Sequence, residues 1–415
     1  MTPVEAIEVG ARTARTSRLV SLAGRIPLPG RSVARMPFRN VVRTPRRTLL
    51  TALGLAAVTA VLVSLLGAFD SFDAAIDTGE REVRHETPER MSVQLATFVP
   101  VGSPLVRAIA AQPSVGRVTP SLQVTGTVTS GDRAVDIALM LLDPRDTTWR
   151  PTLLGGGAFD PGARGIVLAR KAARDLGVHV GDTVTLRHPR RVGKRSFAYV
   201  ESRVEVVGLH PNPFRMPAYT SLEVARLLGL EGATNALVVV PAEGRSSDDV
   251  ARELFPLTGV TSVQRALTTI EALREAMGQY TDILRVTEVA AVALVLLLAF
   301  NATGIAIEER VREHATMLAF GLPVRAIVGA TALENALVGV LGTVLGLGLG
   351  WLVIRWMTGS LLPEVLPDVE VPAHISRASV AEALLVGIGA MALAPLLTLR
   401  RLRRLDIPSA LRVVE

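Results

Sequence analysis

Residues 289–307 read VAAVALVLLLAFNATGIAI, 19 positions without a charged side chain. Wound as an α-helix, this run is about 28 Å long, close to the thickness of bilayer hydrocarbon. Three further runs share the property: Thr48 to Phe69 over 22 residues, Asn335 to Ile354 over 20 and Ala383 to Leu399 over 17. The helix holding Asn335 is expected to begin near Ala326, and the last one to reach back to Ser379 with Glu382 in the interface. One such run would pass as a buried core helix. Four in one chain read as membrane spans.

The 415-residue chain is 49% hydrophobic and 20% charged, with a mean hydropathy of +0.38. That composition excludes a disordered chain and argues against a purely soluble enzyme. The absence of cysteine rules out a disulfide framework, a thiolate nucleophile and a cysteine metal site. The net charge of +7 is unevenly spread: residues 1–69 hold ten Arg against Glu5 and Glu8, whereas residues 70–285 hold 25 charges of each sign. The basic excess flanks apolar runs, the pattern of membrane loops and not of a nucleic-acid face.

Arg35, Arg39, Arg43, Arg46 and Arg47 precede the first span, so the N-terminus is expected in the cytoplasm of a cell (inner) membrane protein. Four spans return the C-terminus to the same side, where Arg400, Arg401, Arg403 and Arg404 cluster, and Glu364, Asp368 and Glu370 fit the outside. The first apolar run starts too late and is too long for a cleavable signal peptide. The expected fold is an α-helical membrane protein with four transmembrane helices, one before and three after a large mixed α/β extracytoplasmic domain. The boundaries are 1–47 for a basic cytoplasmic segment, 48–70 for helix one and 71–284 for the outer domain. Helix two covers 285–307 with a stalk from about 268, and a cytoplasmic helix 308–324 precedes helix three at 325–356. A loop at 357–377, helix four at 378–399 and a cytoplasmic tail at 400–415 complete the chain.

Within the outer domain, residues 165–168, 203–208 and 236–240 have strand character, and 178–186 is β-rich around Gly181-Asp182. Helices are expected at Ala169–Leu176, ended by Gly177, at Ser221–Leu228 and from Thr268 into span two. Chemistry is scarce. The six His are scattered, His85-Glu86 lacks a second His, and Gly155-Gly156-Gly157 is followed by no Lys-Ser/Thr pair. Neither Lys171 nor Lys194 lies in a Walker-type loop, so no catalytic residue, metal site or cofactor is expected, and the chain by itself is not an enzyme. A membrane-anchored enzyme is the weakest reading, because no nucleophile, base and metal set converges.

The loop between spans two and three is the most informative segment. Glu309, Arg312 and Glu313 share a polar side, while Val311, Met317, Leu318 and Phe320 offer apolar contacts and Gly321 ends the helix. Such a helix could lie on the membrane or dock into a groove on a soluble partner. In span three, Gly342-x-x-x-Gly346-x-x-x-Gly350 places three glycines on one face for close helix packing. Glu334 would lie roughly 12 Å along that helix, facing a helix interface or the cytoplasmic rim; a proton relay is the less favoured reading.

Arg310, Arg312, Glu313, Ala315, Ala319 and Gly321 fit an R-x-R-E-x-A-x-x-x-A-x-G stretch in which the chain resembles the FtsX-like, MacB-type permease family of ABC transporters. Glu334, Arg39-Asn40 with Arg47-Thr48-Leu49-Leu50-Thr51-x-x-Gly54, Gly165–Leu168, Leu176-Gly177-Val178-x-x-Gly181-Asp182, Val206-Val207-Gly208 and the closing Asp406–Arg412 also fit that family. The resemblance spans residues 36–415. It implies a separate ABC ATPase subunit in two copies, bound by Glu309, Arg312, Glu313, Met317, Leu318 and Gly321. It also implies a second permease chain, identical or a related half, and an extracellular or periplasmic partner besides the lipid bilayer. ATP hydrolysis would drive export or extraction of an amphipathic substrate by mechanotransmission. The alternative is an FtsX-type signal transmitter controlling a partner such as a cell-wall hydrolase, against which the large outer domain argues. Thr2–Ile7 loosely echoes residues 408–411, as if the chain were the second half of a duplicated permease. Residues 10–35 otherwise read as a basic linker.

Overall fold

The protein, seen in a computed structural model, is described over residues 41, 45–162, 164–193 and 196–397. The N-terminal linker, Arg39-Asn40, Lys194, the Arg400–Arg404 cluster and the Asp406–Arg412 motif lie outside the described residues. The chain divides into two compact units. One comprises the residues up to Asp70 with Ile283–Arg355 and those from His374 onward; the other comprises Ser71–Asp282 with Trp356–Ala373.

The first helix, α1, runs from Pro45 to Arg84. Strand β1 (Met91–Pro100), helix α2 (Pro104–Ala110) and the long strand β2 (Val115–Ser130) follow. Next come β3 (Arg133–Leu142), β4 (Gly165–Ala169), α3 (Arg170–Leu176), β5 (Thr183–Arg191), β6 (Phe197–His210) and β7 (Pro217–Ser221). One tight turn at Leu222–Val224 leads into α4 (Ala225–Leu228), then β8 (Ala233–Pro241), α5 (Ser247–Leu254) and β9 (Val260–Arg265). The remainder is helical: α6 (Thr268–Glu309), α7 (Val311–Ala319), α8 (Val324–Trp356), a wide turn at Met357–Leu361 with α9 (Leu362–Val365), and α10 (Arg377–Leu397).

In the α/β unit β2 belongs to two sheets. Its first half pairs with β8, giving the antiparallel order β9-β1-β8-β2 with α2 and α5 as crossovers, a split β-α-β layer. Val106, Ile109, Val250 and Leu254 cover that sheet against Val93, Leu237 and Val239. From Leu122 onward β2 pairs with β3, and at Thr127–Thr129 with β5. The pairings β3–β7, β7–β4, β4–β6 and β6–β5 then close a six-stranded barrel. Strict alternation on β3 shows why: Val135, Ile137, Leu139 and Leu141 are buried, while Ala134, Asp136 and Ala138 are exposed. Inward side chains of the other strands and Leu176 and Leu228 from α3 and α4 complete this core, each large aliphatic contributing roughly 2 kcal/mol by burial. The expected helix at 221–228 is shorter than its sequence suggests, because one tight turn and a single α turn suffice to cap the barrel.

The end of α1 is fastened inside this unit. Arg90 donates to the carbonyls of Val83 and Thr87 and stacks 4.5 Å over Trp149. The Trp149 indole donates to the carbonyl of Glu82 at 3.2 Å, and the Glu82 carboxylate accepts from the Thr152 amide at 2.8 Å. Burial lowers Arg90 to about 10, which leaves it charged at neutral pH.

Among the described residues four helices, lying wholly or in part in the other unit, are long and apolar enough to cross a membrane: Pro45–Arg84, Arg285–Glu309, Val324–Val365 and Arg377–Leu396. Their shared core is small-sided: Ala52 and Leu55 of α1 meet Val295 and Ala299 of α6, Val338 of α8 and Ala390, Met391 and Ala394 of α10. Val286, Val289, Leu297, Leu352 and Leu385 face outward and exposed, as on lipid-facing helices.

Candidate coupling site

The site lies where α6 gives way to α8. Helix α6 stops at Glu309 because Arg310 leaves helical geometry (φ −113°, ψ 17°), and α7 starts at the next residue. At its other end Gly321 adopts φ 82°, the left-handed region that L side chains avoid. Its amide donates to the carbonyl of Leu318 at 2.9 Å and that of Leu322 to Met317 at 3.1 Å, the paired bonds of a Schellman cap. Pro323 follows and cannot extend the helix.

Charges fix the base of α7. The Arg310 guanidinium meets the Glu334 carboxylate on α8 at 2.7 Å, both side chains more than four-fifths buried, and Glu313 at 3.9 Å. Arg47 at the start of α1 meets Glu309 at 2.5 Å. His314 on α7 is buried near Arg310 and Glu334, and desolvation, the largest influence, lowers its pKa. These pairs leave a defined outward face. Glu313 is exposed, Met317 and Leu318 are half-buried, and Phe320 is 82% exposed, an apolar ring held in the open.

Of the residues singled out from the sequence, Glu313, Met317, Leu318 and Gly321 stand together on α7 or its cap. Arg312 lies in the same helix, its side chain outside the described set. Glu309 is engaged by Arg47, an ion pair between residues far apart in sequence. Glu334 is partnered by Arg310, so the acid early in α8 has a countercharge inside the chain. Phe320, Arg310 and Arg47 were named from the sequence for other reasons, Phe320 as an apolar contact and the two arginines in motifs, but neither the exposure of Phe320 nor the ion pairs nor the burial of His314 was foreseen.

The three glycines of α8 let the backbone of α1 approach closely. A Cβ on Gly342, Gly346 or Gly350 would stand 2.9, 2.9 and 3.1 Å from the carbonyl oxygens of Ala52, Ala56 and Ala60 on α1. Asn335 on α8 also donates to the Thr303 hydroxyl on α6 at 2.7 Å, a buried polar tie. Among the described residues no group of three or more acidic or His side chains could hold a metal ion.

Four membrane-length helices among the described residues, an α/β insertion after the first and a capped helix between the second and third are the architecture of a multi-span membrane protein. Family models match in the same order: the MacB-like periplasmic core domain over residues 48–257 and the FtsX-like permease C-terminal region over residues 288–407. The chain belongs to this FtsX-like, MacB-type family of ABC transporter permeases, membrane proteins that work with an ABC ATPase partner and are not normally enzymes themselves. Among solved structures, the periplasmic region of MacB from Actinobacillus actinomycetemcomitans is similar at 11% identity and a TM-score of 0.31, covering 46% of this chain and 95% of that one. The extracellular domain of the noncanonic ABC-type transporter YknZ from Gram-positive bacteria is similar at 12% identity and a TM-score of 0.26, covering 41% of this chain and 100% of that one. No curated protein matches.

Proposed function

We propose that this chain is the permease of an ABC transporter that exports or extracts an amphipathic substrate, with α7 as the seat of a separate ATPase subunit. The observation that carries the reading is the build of α7: nine residues, capped at Gly321, pinned at the base by Arg310–Glu334 and presenting Glu313 and Phe320 outward. An exposed aromatic beside a charge is the anchor chemistry of a helix-in-groove interface. Both termini are then cytoplasmic, the α/β domain is outside, and two permease chains share two ATPases. Closure of the ATPases displaces α7, and α6, one unbroken helix of 42 residues, carries that displacement outward along about 63 Å. This is mechanical work, without a central pore.

The test is ATP hydrolysis by the full chain co-purified with its ATPase in lipid nanodiscs. Glu313→Arg and Phe320→Asp each lower the hydrolysis rate or dissociate the complex, at least tenfold, whereas Gly348→Ala, on a face of α8 with nothing within 4 Å, changes neither. Unaltered binding and hydrolysis in both α7 variants would reject the seat. A transport assay in sealed proteoliposomes separates transport from control of an extracellular hydrolase.

A further inference from the structure

The segment Leu366–Ala373, which connects α9 to α10, belongs to the α/β unit and not to the helical one. Its backbone and side chains show why. Val369 forms an antiparallel bridge with Phe214, in which the Glu370 amide donates to the Pro213 carbonyl at 2.7 Å and the Arg215 amide to the Asp368 carbonyl at 2.8 Å. The Glu370 carboxylate, 7% exposed, is gripped by two arginines of α3: Arg170 at 3.1 Å and Arg174 at 2.6 Å. Arg215 reaches Asp368 at 2.6 Å and Asp175 at 3.5 Å, and Asp175 holds Lys171 at 2.6 Å. Val371 is buried beside them. A surface loop needs none of this: isolated exposed ion pairs contribute little, whereas a near-buried carboxylate between two guanidiniums is a specific, costly arrangement.

We infer that residues 366–373 are a docked strap, and that α3 with Phe214–Arg215 is its receptor. By chain connectivity the strap gives the helices α8 and α10 their own attachment to the α/β domain, independent of α1 and α6. Displacement of the helices therefore reaches the domain by three routes. The docking itself does not depend on the ATPase reading; its role in transmission rests on that reading.

The chain has no native cysteine, which makes a cross-link clean. The two amide bonds flank the Phe214–Val369 pair, so this is the non-hydrogen-bonded position, where Cα atoms lie about 4.5 Å apart, within disulfide range. In the full chain in nanodiscs, the double variant Phe214→Cys, Val369→Cys forms the disulfide under mild oxidation. In the wild type the amides of Glu370 and Arg215 are protected from hydrogen exchange. Glu370→Arg removes that protection at least tenfold, and combining it with Arg170→Glu and Arg174→Glu restores it. Rapid wild-type exchange at both amides, together with no cross-link, overturns the docked strap. For transmission, the ATP-trapped complex is compared with the nucleotide-free one by exchange across β5 and β6. Glu370→Arg abolishes the nucleotide-dependent difference seen in the wild type and the charge-swapped triple variant recovers it. A full difference in Glu370→Arg overturns the strap's role. Loss of the difference in the wild type itself counts against the ATPase reading and leaves the docking result standing.

Discussion

Removing the Glu334 carboxylate leaves the Arg310 guanidinium, 18% exposed, without its closest anion. Glu334→Gln therefore lowers stability by about 2 kcal/mol, the discounted cost of stranding a mostly buried charge. Thermal unfolding in detergent reads the loss, and the swap Arg310→Glu with Glu334→Arg recovers part of it; a single variant melting like the wild type would show that the pair does not hold α7. The glycine face of α8 gives a second test with an internal control. A side chain on Gly346 meets the Ala56 carbonyl and Thr59, whereas Gly348, two residues on, has open space. Gly346→Val costs about 2 kcal/mol by overpacking, and Gly348→Val melts within experimental error of the wild type.

At the scale of elements, two buried histidines make the barrel acid-sensitive. The His210 ring donates from Nε2 to the Pro217 carbonyl at 2.9 Å, stacks edge-on with Tyr219, and has no partner at Nδ1. Burial pushes its pKa down to about 4, and burial also lowers that of His188. The unfolded chain takes up a proton near pH 6.5, so below that pH the unfolded state binds more protons than the folded one. This stabilisation is complete above about pH 6.5 and fades as the pH falls, the share from His210 reaching roughly 3 kcal/mol by pH 4. Unfolding of the full chain between pH 7 and 4 shows the decline, and His210→Gln flattens it. An unchanged slope in that variant would assign the acid sensitivity to other groups.

For the whole molecule, the strongest expectation concerns sidedness. Protease added outside intact cells cuts within residues 71–282 and spares α7; cleavage of α7 from outside would invert the topology on which the ATPase seat depends. Sequence alone determined the apolar helices, the position of the α/β insertion and the helix ended at Gly321, because uncharged run length, turn glycines and helical period are local properties that neighbours cannot undo. Tertiary structure alone decided which charges meet. Arg47 with Glu309, Arg310 with Glu334, and the two arginines of α3 on Glu370 join residues separated by up to 262 positions in the first case and 200 in the last. No periodicity encodes such pairs. Closure of the barrel was equally hidden, since β2 shows one continuous strand while its two halves serve different sheets. Strand pairing is set by where distant chain segments bury their apolar faces, and that is known only when the whole chain is folded.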